Sequence, residues 1–293
     1  MPIDIAELNQ IEKLVRDEFG KAFSQAPVSY QLYTSEIVDT ESITPFEWIG
    51  ALPRVREWIG ARHIEDMKNY DYTIKKKDWE LTIRVPYRKM WESSKTMLAA
   101  FVIQRVSQLG TQFRKDYPSE IVVQALENGT SNLAYDGVPF FADSGRANVN
   151  LKNGSGTTVD NLITDIETCR AAMKKFKDDK GRTLNITGDV AVIPPELEIK
   201  FMEITRARLR DGSDNVHFGS LEYVVDARLT DTSDWYFIAS NEFIKPLLFV
   251  SLGGVNVAVK DTTFDNKSLT VGADATGNVG YSFPELAIKV VNS

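Results

Sequence analysis

Two histidines and a single cysteine are the entire stock of soft or readily titrated side chains in this 293-residue chain. His63 lies in G-A-R-H-I-E-D and His217 in N-V-H-F-G. Neither has a second histidine or cysteine at the spacing a zinc site needs. Cys169 alone excludes an intrachain disulfide and a multi-thiolate metal site. It falls on the apolar stripe of a helical pattern and reads as a core residue. Gly154-Ser155-Gly156 precedes the same pattern and could present helix N-terminal amides to an anion. The stretch lacks the third glycine and the acidic partner of a dinucleotide fingerprint, and no Gly-Lys-Ser/Thr phosphate loop occurs anywhere. A plain loop is the simpler reading. Asp178-Asp179 and the Glu196/Glu198 pair could do acid–base work, but each belongs to a charged stretch expected to be solvated. No catalytic residue, cofactor or metal is therefore expected. An enzymatic reading would be a carboxylate-based α+β hydrolase, and it requires two acids converging in a pocket.

The remaining candidate for chemistry is Lys75-Lys76-Lys77, in Y-D-Y-T-I-K-K-K-D-W-E-L-T-I-R-V-P-Y-R from Tyr70 to Arg88. Tyr70, Tyr72 and Ile74 alternate with polar residues, and so do Trp79, Leu81, Ile83 and Val85. A period of two puts each set on one face of a strand. The stretch predicts a two-stranded hairpin with one apolar face and the lysines at a solvated tip. A lone hairpin is marginal in water, so the apolar face must rest on something.

The elements that would position these residues follow from the rest of the chain. Hydrophobic residues at 43% and charged residues at 26% describe a globular chain. No apolar run approaches the roughly 20 residues of a membrane helix, and the N-terminus does not read as a signal peptide. The net charge of −7 is concentrated early: residues 1–50 hold nine acids and three bases. No basic patch of the length needed for a tight nucleic-acid grip occurs. Residues 4–23 carry Leu8, Ile11, Leu14, Val15 and Phe19 at helical spacing, ending near Gly20. The following V-S-Y-Q-L-Y-T-S-E-I-V predicts an extended arm rather than a core element. Ser93 to Asn128 predicts a long helix, kinked or restarted at Pro118. Turn-rich sequence follows, with short strands near Val138–Phe141 and Asn148–Leu151. A helix from Val159 to Phe176 is capped by Thr157 or Thr158. A strand at Val190–Ile193 leads into a helix opened by Pro194-Pro195. Strands at Leu221–Asp226 and Trp235–Ala239 and the closing strands complete an α+β pattern.

Several segments together resemble the Mu-like phage major head (capsid) subunit family, whose members have the Hong Kong 97-type capsid fold. The entry F-E-W-I-G-A-L-P-R-V-R-E-W-I-G-A-R, with Trp48, Pro53, Trp58, Gly60 and Arg62, is the most specific. A-Y-D-G-V-P-F-F supplies Tyr135, Asp136, Gly137, Phe140 and Phe141. V-I-P-P-E-L-E and V-V-D-A-R-L-T-D-T-S-D-W-Y-F-I-A, with Trp235, continue the match over about residues 45–293. The chain departs from the family in reading Ala142-Asp143-Ser144 after the Phe-Phe pair, and Arg88-Lys89 after the hairpin.

The resemblance implies an N-terminal arm (1–60), an extended loop (61–92) and a peripheral domain with a spine helix (93–185). It also implies an axial domain (186–245) and closing strands of the peripheral domain (246–293). It implies inter-subunit contacts by the loop residues Tyr72, Ile74, Lys75, Lys76, Lys77, Trp79, Leu81 and Ile83. Some capsids of this fold weld subunits through a lysine; a solvated lysine tip is the simpler reading here. The implied function is a major head protein of a tailed double-stranded DNA phage, assembled in the host bacterial cytoplasm. Its copies form hexamers and pentamers in an icosahedral virion shell. The implied partners are further copies, a separate scaffolding protein, a portal and packaged DNA held without sequence-specific contact; no membrane is involved. Another virion structural protein is the remaining alternative.

Overall fold

The computed structural model describes residues 5–49, 69–86, 95–210, 212–261 and 268–292. Helix α1 (Ile5–Gln25) continues one turn beyond Gly20. It packs on α2 (Lys95–Arg114). Val15, Phe19 and Ala22 are buried in that contact, as the helical spacing requires. The two backbones approach closely at Gly110, where a Cβ would stand 2.8 Å from the Phe19 carbonyl oxygen. Helical geometry ends at Tyr117 (φ −126°, ψ 122°), because the residue before a proline is driven to extended backbone. The chain then restarts as α3 (Ile121–Glu127). The expected break at Pro118 is therefore present.

A first sheet is organised by β13 (Ser268–Tyr281). Strand β4 (Lys77–Pro86) and strand β12 (Asn256–Asp261) pair with overlapping stretches of β13 and so flank it on opposite edges. The C-terminal end of β13 pairs with β11 (Leu247–Ser251), which takes β1 (Thr34–Val38) in parallel. Leu269, Val271, Ala273 and Ala275 turn toward Val102, Val106, Leu109 and Phe113 of α2. The second sheet runs β5 (Leu151–Asn153), β14 (Ala287–Val291), β10 (Trp235–Ile238), β6 (Val190–Ile193), β9 (Glu222–Val225). Its strands β6 and β10 are buried along their whole length. Trp235 and Phe237 pack on α4 (Val159–Lys175) and α5 (Glu198–Arg206), while Tyr236 and Ile238 pack on α3 and the Phe140–Phe141 corner. A strand covered on both faces reads as a continuous apolar run, which is how W-Y-F-I and V-A-V-I read.

Two expectations change. Residues 29–38 are built into the body rather than projecting: Tyr30 and Tyr33 are fully buried and β1 is a paired strand. Val138–Phe141 is not a strand; a single bridge joins Leu133 to Pro139, and Asn150 organises the corner. Its side chain donates to the carbonyls of Phe140, Pro284 and Ala287 and accepts from the Ala142 amide.

Candidate assembly interface

The expected hairpin is corrected at its centre. Both strands exist, but they do not pair with each other. β3 (Asn69–Lys75) pairs antiparallel with β2 (Ile43–Ile49), whereas β4 pairs with β13. Each strand finds a better complement elsewhere: Leu81 and Ile83 oppose Ala273 and Val271, and Tyr72 opposes Phe46. The hairpin of this region is β2–β3, connected by residues 50–68.

Lys76 stands where the chain passes from one sheet to the other, and it is not a solvated tip. Its side chain is 1% exposed. Its ammonium donates to the Asp39 carbonyl at 2.8 Å and the Asp39 carboxylate at 3.3 Å, and also to the Glu41 carbonyl. Three acceptors satisfy the three donors of an ammonium, the condition for burying one. The Thr44 hydroxyl and the Glu41 amide, with Lys76 behind them, hold the Asp39 carboxyl below its usual range. Lys75 and Lys77 on either side are exposed.

The apolar residues divide into two groups. Ile74 is buried with Leu248 and Val250, and the Tyr72 hydroxyl accepts from the Tyr281 amide at 3.2 Å. Burial raises the Tyr72 pKa. The close approach requires Gly280, because a Cβ there would collide with Ile74. Trp79, Leu81 and Ile83 are only half-buried. Trp79 donates to the Gly277 carbonyl at 2.9 Å. Between this face and α2 runs a groove of about 810 Å³. Leu81, Ile83, Phe101 and Leu109 form its floor, and Arg84, Arg105 and Lys115 stand along it.

The family-signature residues fall into separate places. Trp48 is paired with Tyr70 by the backbone; Pro53, Trp58, Gly60 and Arg62 lie outside the described residues, as does His63. Gly137 adopts φ 76° in the turn that Asp136 braces, and Arg146 links Asp136 to the Val138, Pro139 and Phe140 carbonyls. Phe140 stacks on Tyr281 with centroids 4.6 Å apart, and Tyr135 meets Phe283 edge-on. Trp235 is fully buried against Phe201 and Phe237. These are packing residues of the body. Sequence reasoning missed Asp39, Tyr117 and Tyr281. A polar residue in a loop carries no signal of a partner 37 positions away.

The Ser155 amide and hydroxyl bind the buried Asp165 carboxylate, and the Gly156 amide binds Asn292, so the Gly-Ser-Gly amides are already engaged. Among the described residues no group of three potential ligands could hold a metal. Among the described residues the large groove has no carboxylate in its lining. A smaller one of about 160 Å³ is lined by Glu80, Asp116 and Glu120. Gln112 and Gln124 donate to Asp116 and Glu120 there. No helix among the described residues is long and apolar enough to cross a membrane.

A spine-like helix laid across one sheet, a second sheet whose strands β6 and β10 are buried on both faces and a hairpin departing at Lys76 fit a Hong Kong 97-type capsid fold. A subunit of the bacteriophage JBD30 procapsid superposes with a TM-score of 0.56, covering 99% of this chain and 77% of its own at 19% identity. The chain belongs to the family "Mu-like prophage major head subunit gpT", whose model matches residues 8–167 and 158–229. It is 25% identical over 149 residues to the major capsid protein of Escherichia phage Mu, a match covering 50% of this chain and about half, 47%, of that relative. It is 22% identical over 241 residues to the Mu-like prophage FluMu major head subunit of Haemophilus influenzae, covering 78% of this chain and 77% of that protein.

Proposed function

We propose that the chain is a structural head subunit that assembles with further copies, as hexamers and pentamers, into an icosahedral shell around double-stranded DNA. The family match over residues 8–229 carries this reading. It is supported by a half-covered apolar face on β4, of the kind obligate assemblies cover with a neighbour. The subunit has no catalytic role. It assembles in the bacterial cytoplasm with a separate scaffolding protein and a portal, and it touches DNA without reading sequence.

The division into arm (1–60), extended loop (61–92), peripheral (93–185, 246–293) and axial (186–245) regions belongs to the same proposal. The extended loop is reassigned to β2–β3 with its 50–68 connection. Of the proposed contact residues, Lys75, Lys77, Trp79, Leu81 and Ile83 remain available to a neighbour. Tyr72, Ile74 and Lys76 act by holding the base of the loop on its own body. Electron microscopy of the expressed full chain tests the reading. Rings or shells are expected, and a strictly monomeric protein at high concentration overturns it.

A further inference from the structure

Helix α2 has a companion helix on one side and a groove on the other. Its Gly110 faces α1, where a Cβ would stand 2.8 Å from the Phe19 carbonyl oxygen, and α1 reaches across to β12. At about 3.6 residues per turn, Phe101, Arg105, Gln108, Gln112 and Lys115 stand on the side opposite Gly110. They recur at alternating spacings of four and three, the stripe one helix offers to another packed alongside it. β4 flanks β13 on the edge away from β12, so this stripe overlooks β4, with the 810 Å³ groove between them. Among the described residues no element fills that groove.

The groove has the length and floor that a helix needs. Residues 101–115 rise about 20 Å at about 1.5 Å each, the span of about 14 helical residues. Leu81 and Ile83, on one face of β4, form an apolar floor with Leu109 of α2. A helix laid there would extend the layer that α1 and α2 form over the sheet, with its apolar side down.

The walls fix the charge of that helix. Arg84, Arg105 and Lys115 are exposed, and none is ion-paired among the described residues. Arg105 is held 5.4 Å above the Phe101 ring and donates to Gln108. This basic wall stands out in a chain of net charge −7. Glu80, Asp116 and Glu120 gather only past Leu81, in the smaller pocket at the end of the groove, and mark where an acidic partner must stop. We propose that the groove docks an acidic amphipathic helix of a different polypeptide, its apolar side on β4 and its carboxylates against Arg84, Arg105 and Lys115. A second copy is the poorer source, because α1, its own acidic amphipathic helix, already buries Val15, Phe19 and Ala22. The inference goes beyond the assembly reading: the helix covers this face in the unassembled subunit, and a neighbouring copy takes it over on assembly.

The test uses the full-length chain below the concentration at which it assembles, with the folding of each variant checked by thermal unfolding. Two labelled synthetic peptides of about 14 residues share leucines three and four apart. One carries glutamate at its remaining positions and the other lysine. The glutamate peptide is expected to saturate at one per subunit, and the lysine peptide to bind about tenfold more weakly. Arg105→Glu/Lys115→Glu, at two exposed positions, is expected to fold and to reverse the preference. Ile83→Asp is expected to bind neither peptide; should it fail to fold, the charge-reversed variant decides. Absence of saturable binding by the glutamate peptide overturns the proposal, as does equal affinity for the two peptides or a preference that survives charge reversal. So does a peptide of residues 5–25 of this chain that binds as tightly as the glutamate peptide, since the occupant is then a second copy. Saturating glutamate peptide is expected to raise the concentration at which particles form, and unchanged particle formation overturns the shared use of the face. A chain that takes the peptide yet never assembles supports the docking site and overturns the assembly reading. One that assembles and ignores the peptide does the reverse.

Discussion

Strand β10 reads as a continuous apolar run and strand β4 as an apolar face alternating with polar residues, and the two behave differently in the fold. W-Y-F-I of β10 is covered on both faces by its own chain, with α4 and α5 on one side and the Phe140–Phe141 corner on the other. Trp79, Leu81 and Ile83 of β4 are covered only in part, leaving the 810 Å³ groove beside α2. The first arrangement completes a monomer core. The second leaves part of its apolar surface open, which is the surface the proposed assembly would cover. Apolar content alone does not separate core from interface; what matters is whether the chain supplies both covers.

The sharpest break of this comparison is Trp235→Ala. The side chain is fully buried between Phe201 and Phe237, so its removal should cost about 3–5 kcal/mol. Chemical denaturation of the unassembled subunit would read this directly. A loss below about 1 kcal/mol would mean that the two-faced sheet is not the centre of stability.

Lys76→Met comes next. It keeps the stem but leaves the Asp39 carboxylate and the Asp39 and Glu41 carbonyls without their donor. Water can reach the freed acceptors on Asp39 and Glu41, so the loss should be local rather than global. Amide exchange should quicken at residues 39–44 and 69–76 while β6 and β10 stay protected. Unchanged exchange at the hairpin base would remove the clamp from the account.

Leu81→Ala should be mild in the monomer, at most about 1 kcal/mol for a half-covered side chain. Its larger effect should appear in assembly, as a raised protein concentration for particle formation. Equal effects on monomer and particle would place β4 with the closed core.

The contrast also explains what could be read from sequence. Continuous apolar runs at Val190–Ile193 and Trp235–Ala239, the Pro-Pro helix start and the break at Pro118 depend on neighbours a few residues away, and each was legible. The pairing of β4 with β13 joins residues nearly 200 positions apart; Trp79 meets Gly277, and no local pattern announces it. Lys76 was hidden by its neighbours, since three consecutive lysines read as solvent-facing until the chain changes sheets at the middle one. Tyr30 and Tyr33 were hidden by a polar setting, although both are fully buried. The alternation in Tyr70–Arg88 was real, but it reported faces and not partners.

The smallest expected effect isolates the electrostatic part of the clamp. Asp39 has a folded pKa below its ordinary value of 3.8, owing first to the Thr44 hydroxyl, then to the Glu41 amide and Lys76. A depressed carboxyl contributes stability above its unfolded pKa and loses it as pH falls through the folded value. In Asp39→Asn the thermal midpoint should be slightly lower than wild type at neutral pH, and the two should converge as pH drops below the ordinary carboxylate range. Because Asp39 is partly open to solvent, added salt should narrow the neutral-pH gap as well. A gap that is constant with pH would assign it to hydrogen bonding changed by the amide rather than to the carboxylate charge, and no gap at any pH would leave the backbone carbonyl, which also accepts from Lys76 and survives the substitution, as the contact that matters.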